Sequence, residues 1–363
     1  MAVKLTEIQH YLEAKTGEAV HIEEVQSLAG EGTNQKAIKQ FGYGRPLLVS
    51  YRSGEVEEKL VFHSIKRNAF GREREDDRVA AVWLDFHTFN RLPRHVPTLD
   101  MVLQNQDGSL QSIASADELL LVTQYNPGAL YADDLMRIRD EGQLSPQDIQ
   151  RAETLADYLA EIHQVKHDDP LLWRRRLRDL IGHGEGIMGI TDSYPPGQTF
   201  VSQAELSEIE DLANRWRWRL KSLEHRLSQV HGDFHPFNVL FEERTEFHLL
   251  DRSRGEWGEP ADDLSCMTIN YIFFSLQSYG RLEGPFNKLH NRFWERYLEA
   301  RPDDELNRVI QPWLAWRALV VASPVWYPSI SVDVRRKLLT FARRVLLSGE
   351  YIYSQVNRYL KDA

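Results

Sequence analysis

The sequence predicts an α+β protein in two lobes: a small N-terminal lobe with an antiparallel sheet and one main helix, and a larger, mostly helical C-terminal lobe. Three observations predict this. A chain of 363 residues exceeds the usual size of a single hydrophobic core. Residues 21–65 carry strand-type patterns, whereas from Ser145 onward apolar residues recur mostly at helical spacing. Between the two regions an apolar run ends at Asn126-Pro127-Gly128, a turn signal that places the lobes at 1–125 and 126–363.

The elements follow in order. Met1–Glu18 reads as an amphipathic helix with Leu5, Ile8 and Leu12 on one face, and it lacks the unbroken apolar core of a signal peptide. No segment is long and apolar enough to span a bilayer, so no membrane partner is expected and the cytoplasm is the expected compartment. Leu47–Tyr51 and Leu60–Ile65 flank Ser53-Gly54-Glu55 and predict a hairpin. Residues 72–90 predict a helix whose inward face carries Glu75, Val79, Val82, Phe86 and Phe89, with Ala80 and Ala81 adding propensity. Leu119–Tyr125 reads as a buried-type strand.

Ser145-Pro146 opens a helix with proline at its first position and Ile149, Ala152, Leu155, Ala156, Leu159 and Ile162 along one face. His163, near its end, has no metal-spaced partners and reads as a core-satisfied or solvent histidine. A second helix carries Leu206, Ile209, Leu212, Trp216, Leu220 and Leu223. Further helices fill Ile269–Leu360, interrupted at Pro324 and Pro328. The composition, 42% hydrophobic and 27% charged, is that of an ordinary globular chain. Its one cysteine, Cys266, rules out a disulfide within the chain and sits in an apolar run that predicts a buried thiol.

The most informative stretch is His231-Gly232-Asp233-Phe234-His235-Pro236-Phe237-Asn238, followed at a distance by Leu249-Leu250-Asp251. Val239–Phe241 and Phe247–Leu250 predict two strands around a polar turn, so Asn238 and Asp251 stand at the open end of one hairpin. An amide carbonyl and a carboxylate placed together suit magnesium beside nucleotide phosphates. Phosphoryl transfer also needs a group that aligns the acceptor hydroxyl, and Asp233 is left for this. An ordinary carboxylate is a weak base at neutral pH, so it takes the proton late and contributes mainly by positioning.

These residues resemble the aminoglycoside phosphotransferase and choline kinase-like family, of protein kinase-like fold, whose signature is close to HGDxHxxN, an aspartate after a short strand, and GDPxxDL. The last part here reads Gly258-Glu259-Pro260-Ala261-Asp262-Asp263-Leu264. The resemblance implies that Asp263, with His231, supports the catalytic loop, Asp262 being the adjacent alternative. It implies a lysine at the end of the third strand and a glutamate on the next helix: Lys66, held by Glu75 in preference to Glu73. A glycine turn should cover the phosphates; Gly42-Tyr43-Gly44 is preferred on register to Gly30-Glu31-Gly32, and neither is a Walker loop. Gln124, Tyr125 and Asn126 would offer backbone groups to a purine.

The implied function is a small-molecule kinase using ATP and Mg2+, with an aminoglycoside-like, amino-alcohol or other hydroxyl metabolite as acceptor. A nucleotide-binding regulator without transfer and a nucleotidyltransferase are the alternatives. The net charge of -10 suits a cationic acceptor and argues against broad nucleic-acid binding. Two features depart from the family. Glu259 replaces an aspartate, and Asp251 is followed by Arg252-Ser253-Arg254. These arginines could pair with phosphate, engage an acidic acceptor or bridge to Glu256 and Glu259; the last reading is preferred because charge clusters are usually paired. Trp173–Arg178 and Gly182–Gly186 read as a basic helix and a surface loop in preference to an anion site and a lid.

Overall fold

The computed structural model describes residues 4–28 and 46–361, and the chain divides into two compact units, Met1–Thr123 and Gln124–Ala363. In the first unit, α1 (Leu5–Thr16) buries Ile8, Tyr11 and Leu12 and stops at Gly17, whose left-handed φ of 75° lets its amide bond the Glu13 carbonyl. Strands β1 (Val20–Ser27), β2 (Leu47–Ser53) and β3 (Val56–Phe62) form an antiparallel sheet in that order. Ser53 pairs with Val56, so the turn is Gly54-Glu55, with Gly54 at φ 58°. Val20, Val49 and Tyr51 pack on the buried face of α1 to make this unit's core.

Helix α2 (Glu75–Thr88) is followed by the short hairpin β4 (Val102–Gln104) and β5 (Leu110–Ser112). Asp100 ties this hairpin to α1, accepting from Tyr11 Oη and Lys15 Nζ, each at 2.6 Å, and from Ser112 Oγ at 2.7 Å.

Several expectations for residues 60–125 meet a different outcome. Phe62 pairs with Leu47, the first residue of β2, so the ladder ends there and Lys66 lies four residues past it, exposed. Glu75 opens α2 in its solvated first turn, where an acid suits the helix dipole; its side chain is 93% exposed and faces Arg78 at 3.5 Å. The buried position of α2 is Ala81, while Val79 is 52% exposed: helical spacing gave the stripe but not which side of it turns inward. Lys66 and Glu75 therefore form no pair, and the buried glutamate is Glu73. Leu119–Tyr125 runs as irregular chain with Leu121 and Val122 each 90% exposed; it has no ladder partner among the described residues, and an apolar run without one does not become a strand. Gly42 and Gly44, with the alternative turn at Gly30, lie outside the described residues.

The second unit opens with β6 (Ala129–Leu130), entered through Gly128 at φ 146°, where a Cβ would stand 2.7 Å from the Phe241 carbonyl oxygen. Then come α3 (Tyr131–Glu141) and α4 (Pro146–Ile162), the latter started by a capping box between Ser145 and Asp148. Next are α5 (Pro170–Gly182), α6 (Ile187–Asp192) and α7 (Gln203–Leu220). Strand β7 (Ser228–Gln229) precedes the hairpin β8 (Val239–Glu243) and β9 (Glu246–Leu249); β8 lies between β6 and β9, while β7 pairs with β10 (Trp257–Gly258).

Helix α8 (Pro260–Tyr279) is buried from Pro260 through Leu276 and forms the axis of a helical body completed by α9 (Gly284–Ala300), α10 (Leu306–Val309), α11 (Gln311–Ala322) and α12 (Val332–Leu347). This is the α+β arrangement expected, with small antiparallel sheets and many helices. No described helix is long and apolar enough to cross a membrane.

Candidate active site

The loop between β7 and β8 carries the HGDFHPFN stretch, and its shape is fixed from beneath. Asp263, in the first turn of α8, accepts from the His231 amide at 2.8 Å and the Gly232 amide at 2.7 Å. Gly232 has φ 89°, a conformation that glycine adopts without strain. His163, fully buried at the end of α4, lies between Asp263 (Nε2, 3.2 Å) and the Tyr297 hydroxyl (Nδ1, 2.9 Å). Burial lowers the His163 pKa, so the ring is neutral: Nε2–H donates to Asp263 and Nδ1 accepts from Tyr297. Burial alone would raise the Asp263 carboxyl, but the hydrogen bonds from His163 and from the His231 amide hold it below the ordinary value.

The loop then closes on itself. His231 Nδ1 accepts from the Asp233 amide at 3.3 Å, and His235 Nδ1 accepts from Phe237 at 3.1 Å to cap a short 3-10 turn, Pro236–Asn238. Asn238 donates its side-chain nitrogen to the Asp233 carbonyl at 3.0 Å, which leaves its amide oxygen for other partners. The Leu250 amide reaches the Asn238 carbonyl at 2.9 Å, so the hairpin brings Asn238 beside the residue that precedes Asp251. Asp251 itself is exposed at φ 50°, and its Oδ1 accepts from the Ser253 amide at 3.0 Å.

Asp233 does not stand alone. Its Oδ1 receives Arg254 Nη1 at 2.6 Å, Arg317 Nη1 at 2.7 Å and the Cys266 thiol at 3.7 Å, while Oδ2 faces His235 Nε2 at 3.7 Å. Burial would raise this carboxyl, but the charges of Arg317 and Arg254 outweigh it and hold the pKa well below the carboxylate range. Asp233 is therefore ionised at neutral pH and a poor base.

Arg317 continues to Asp262 Oδ1 at 2.6 Å and to the Gly232 carbonyl at 3.1 Å. Arg176, on α5, holds the other side of Asp262 at 3.1 Å and the Arg254 carbonyl at 2.6 Å. Burial keeps the Asp262 carboxyl above its ordinary value although Arg317 and Arg176 pull it down.

The basic residues after Asp251 thus go elsewhere than to Glu256 and Glu259. Arg252 donates to the Val230 carbonyl at 2.9 Å, and Arg254 engages Asp233. Glu259 is buried against Arg226 at 2.7 Å, because a buried guanidinium inside the helical body needs that carboxylate. Arg176, expected on a basic surface helix, is instead held between Asp262 and the Arg254 carbonyl, and Arg317 belongs to no motif. Arg317 did leave a signal: a single charge inside the apolar helix Gln311–Ala322 must find a buried partner. Gln124 and Tyr125 are exposed and Asn126 half-buried, on irregular chain.

The site is thus a carboxylate on a loop braced by a second aspartate, set in an α+β protein. Residues 87–302, more than half of the chain, match the Phosphotransferase enzyme family (APH), and the chain belongs to that family. It is therefore a phosphotransferase.

Among solved structures the chain is similar to a glucosamine kinase in complex with glucosamine, ADP and inorganic phosphate, at 18% identity, over 58% of this chain and 60% of that one, with a TM-score of 0.40. It is similar to a thermostable mutant of an aminoglycoside phosphotransferase, at 15% identity over 94% and 99%, TM-score 0.39. An amicoumacin kinase in complex with AMP-PNP and Ca2+ is similar at 12% identity over 97% and 100%, TM-score 0.42. No curated protein matches the chain.

Proposed function

We propose that the protein transfers the γ-phosphate of ATP to a hydroxyl of a small metabolite, with Asp233 orienting that hydroxyl and accepting its proton late in the transfer. One observation carries the reading: Asp233 stands on a loop whose two preceding amides are fixed by Asp263, and its own carboxylate is kept ionised by two guanidinia. A carboxylate so held gains little from acting as an early base and much from being fixed in place, which is what in-line transfer requires.

Asn238 and Asp251 suit magnesium. Both offer hard oxygens, the Asn238 amide nitrogen is occupied so that its oxygen is left, and Asp251 keeps a second carboxylate oxygen beyond its bond to Ser253. An ion held by these two residues would supply positive charge to the phosphate oxygens. Gln124 to Asn126 are proposed to meet the purine through their backbone.

The test is an ATP-consumption screen over hydroxyl metabolites, amino alcohols and aminoglycosides, with the mass of each product determined. A phosphorylated acceptor supports the reading. A nucleotidylated product, or tight ATP binding without turnover across the whole set, overturns it. Asp233→Asn should lower the transfer rate by about 10²- to 10⁴-fold with nucleotide affinity unchanged; near-normal transfer would remove Asp233 from its role.

A further inference from the structure

The two arginines on Asp233 are not equivalent. Arg317 is 4% exposed, sits on α11, and divides its second nitrogen between Asp262 and the Gly232 carbonyl. Arg254 lies on irregular chain with a side chain 20% exposed, and its second nitrogen meets Glu185 Oε2 at 3.3 Å. Glu185 is itself an exposed carboxylate, 51% accessible, in the loop between α5 and α6. Trp316 joins the two sides: its indole N–H donates to the Glu185 carbonyl at 2.7 Å, and its ring underlies Arg317 at 3.9 Å and Arg254 at 5.0 Å. Arg254 is thus the outer, exchangeable guanidinium, and its exposed partner is the weaker of the two pairs.

Asp233, Asp262 and Glu185 each already face a guanidinium, Asp263 is fully buried under the loop, and Asp251 is assigned to magnesium on the reading above. A cationic acceptor would have to strip one of these pairs to find a counter-charge. An anionic acceptor needs no such loss, since it can take the place that Glu185 holds on Arg254.

We propose, on the phosphotransfer reading above, that the acceptor is a hydroxyl compound carrying an anionic group, a carboxylate or a phosphate, and that Arg254 receives this group in exchange for Glu185 and loosens from Asp233. Asp233 Oδ1 then keeps Arg317 and gains the acceptor hydroxyl. The hydroxyl oxygen bonds to the γ-phosphorus as the bond to the β-bridging oxygen breaks; ADP leaves, and the hydroxyl proton passes to Asp233 and on to water. The anionic group is recognised by charge and by the planar fork of the guanidinium.

The experiment uses the full chain with ATP and Mg2+ and two matched acceptor sets: glycerate, glycerol 3-phosphate, glycerol and 2-aminopropane-1,3-diol; and glucuronate, glucose and glucosamine. The expected result is that an anionic member exceeds its cationic counterpart in kcat/KM by about tenfold or more. Glycerate against glycerol 3-phosphate tells a carboxylate from a phosphate, and preference for either supports the proposal. Arg254→Gln should lower kcat/KM for the anionic member by about tenfold to a hundredfold more than for the neutral one. Arg254→Lys, which keeps the charge, should retain part of the preference.

A preference for the cationic members overturns the proposal while leaving phosphotransfer intact. Equal loss across all acceptors in Arg254→Gln assigns this residue to the transferring phosphate and also overturns it. No phosphorylated product with any acceptor overturns the transfer reading itself, and this inference with it.

Discussion

Arg317 Nη1 lies 2.7 Å from Asp233 Oδ1, so a residue of the penultimate long helix holds the carboxylate of the HGD loop from 84 positions away. Its other terminal nitrogen lies 2.6 Å from Asp262, and one buried guanidinium thereby joins the loop to the start of α8. Removing it would leave Asp233 to Arg254 and Asp262 to Arg176. Arg317→Met should destabilise the protein by about 1–3 kcal/mol in urea unfolding, since each carboxylate loses a charge-assisted hydrogen bond. Arg317→Lys should recover only part, because an ammonium cannot span both carboxylates as a planar fork does. A methionine variant as stable as the parent would show that the bridge contributes nothing net.

Asp263→Asn tests the brace under the loop. An amide in place of the carboxylate presents one acceptor oxygen where the His231 and Gly232 amides and His163 now share two. The stranded donor should cost about 1–3 kcal/mol of stability. The rate of transfer should fall while KM for ATP changes little, since the loss is one of positioning. Steady-state kinetics alongside thermal unfolding separates the two effects; an unchanged rate with lowered stability would confine Asp263 to folding.

Asp251→Ala addresses the metal. Half-maximal ATP consumption should require at least about tenfold more magnesium, the scale on which even outer-shell partners of a metal act. Titrating magnesium at saturating ATP reads this directly. Identical titration curves for parent and variant would rule Asp251 out as a ligand.

His290 gives the protein an acid limb. Burial is the main cause that pushes this imidazole from its ordinary 6.5 down to about 4, the contact with Asn291 opposing it. The folded value lies below the unfolded one, so the unfolded chain binds the proton more readily between them. The stability that His290 contributes is present above pH 6.5 and is lost as pH falls toward 4. A histidine held that far down is worth about 3 kcal/mol by linkage. His163, lowered by burial, acts in the same direction. Urea unfolding at pH 7 and at pH 4.5 should show a smaller difference in His290→Leu than in the parent, and an equal difference would refute the assignment.

What could be read from the sequence was local. The hairpin flanked by Asn238 and Asp251 is written in one short stretch of alternation and turn chemistry, and the start of α4 in the pair Ser145 and Asp148. His163, open in sequence between a core-satisfied and a solvent-facing reading, is fully buried between Asp263 and Tyr297. Phase and pairing were not legible. The α2 stripe had the right spacing, yet only the sheet's end at Phe62 and the helix start at Glu75 decide that Lys66 and Glu75 stay apart. The destinations of Arg254 and Arg317 depend on packing between distant helices, and no spacing rule carries that information.

Cys266, the one cysteine of the chain, donates its thiol toward Asp233 Oδ1 at 3.7 Å from one turn inside α8. Its vibrational frequency depends on the electric field along the S–H bond. The protein therefore carries a native infrared probe at the Asp233 carboxylate, with no second thiol to confuse the signal. Binding of nucleotide, magnesium or acceptor can be followed as a spectral displacement in the unlabelled protein, before any phosphate has moved.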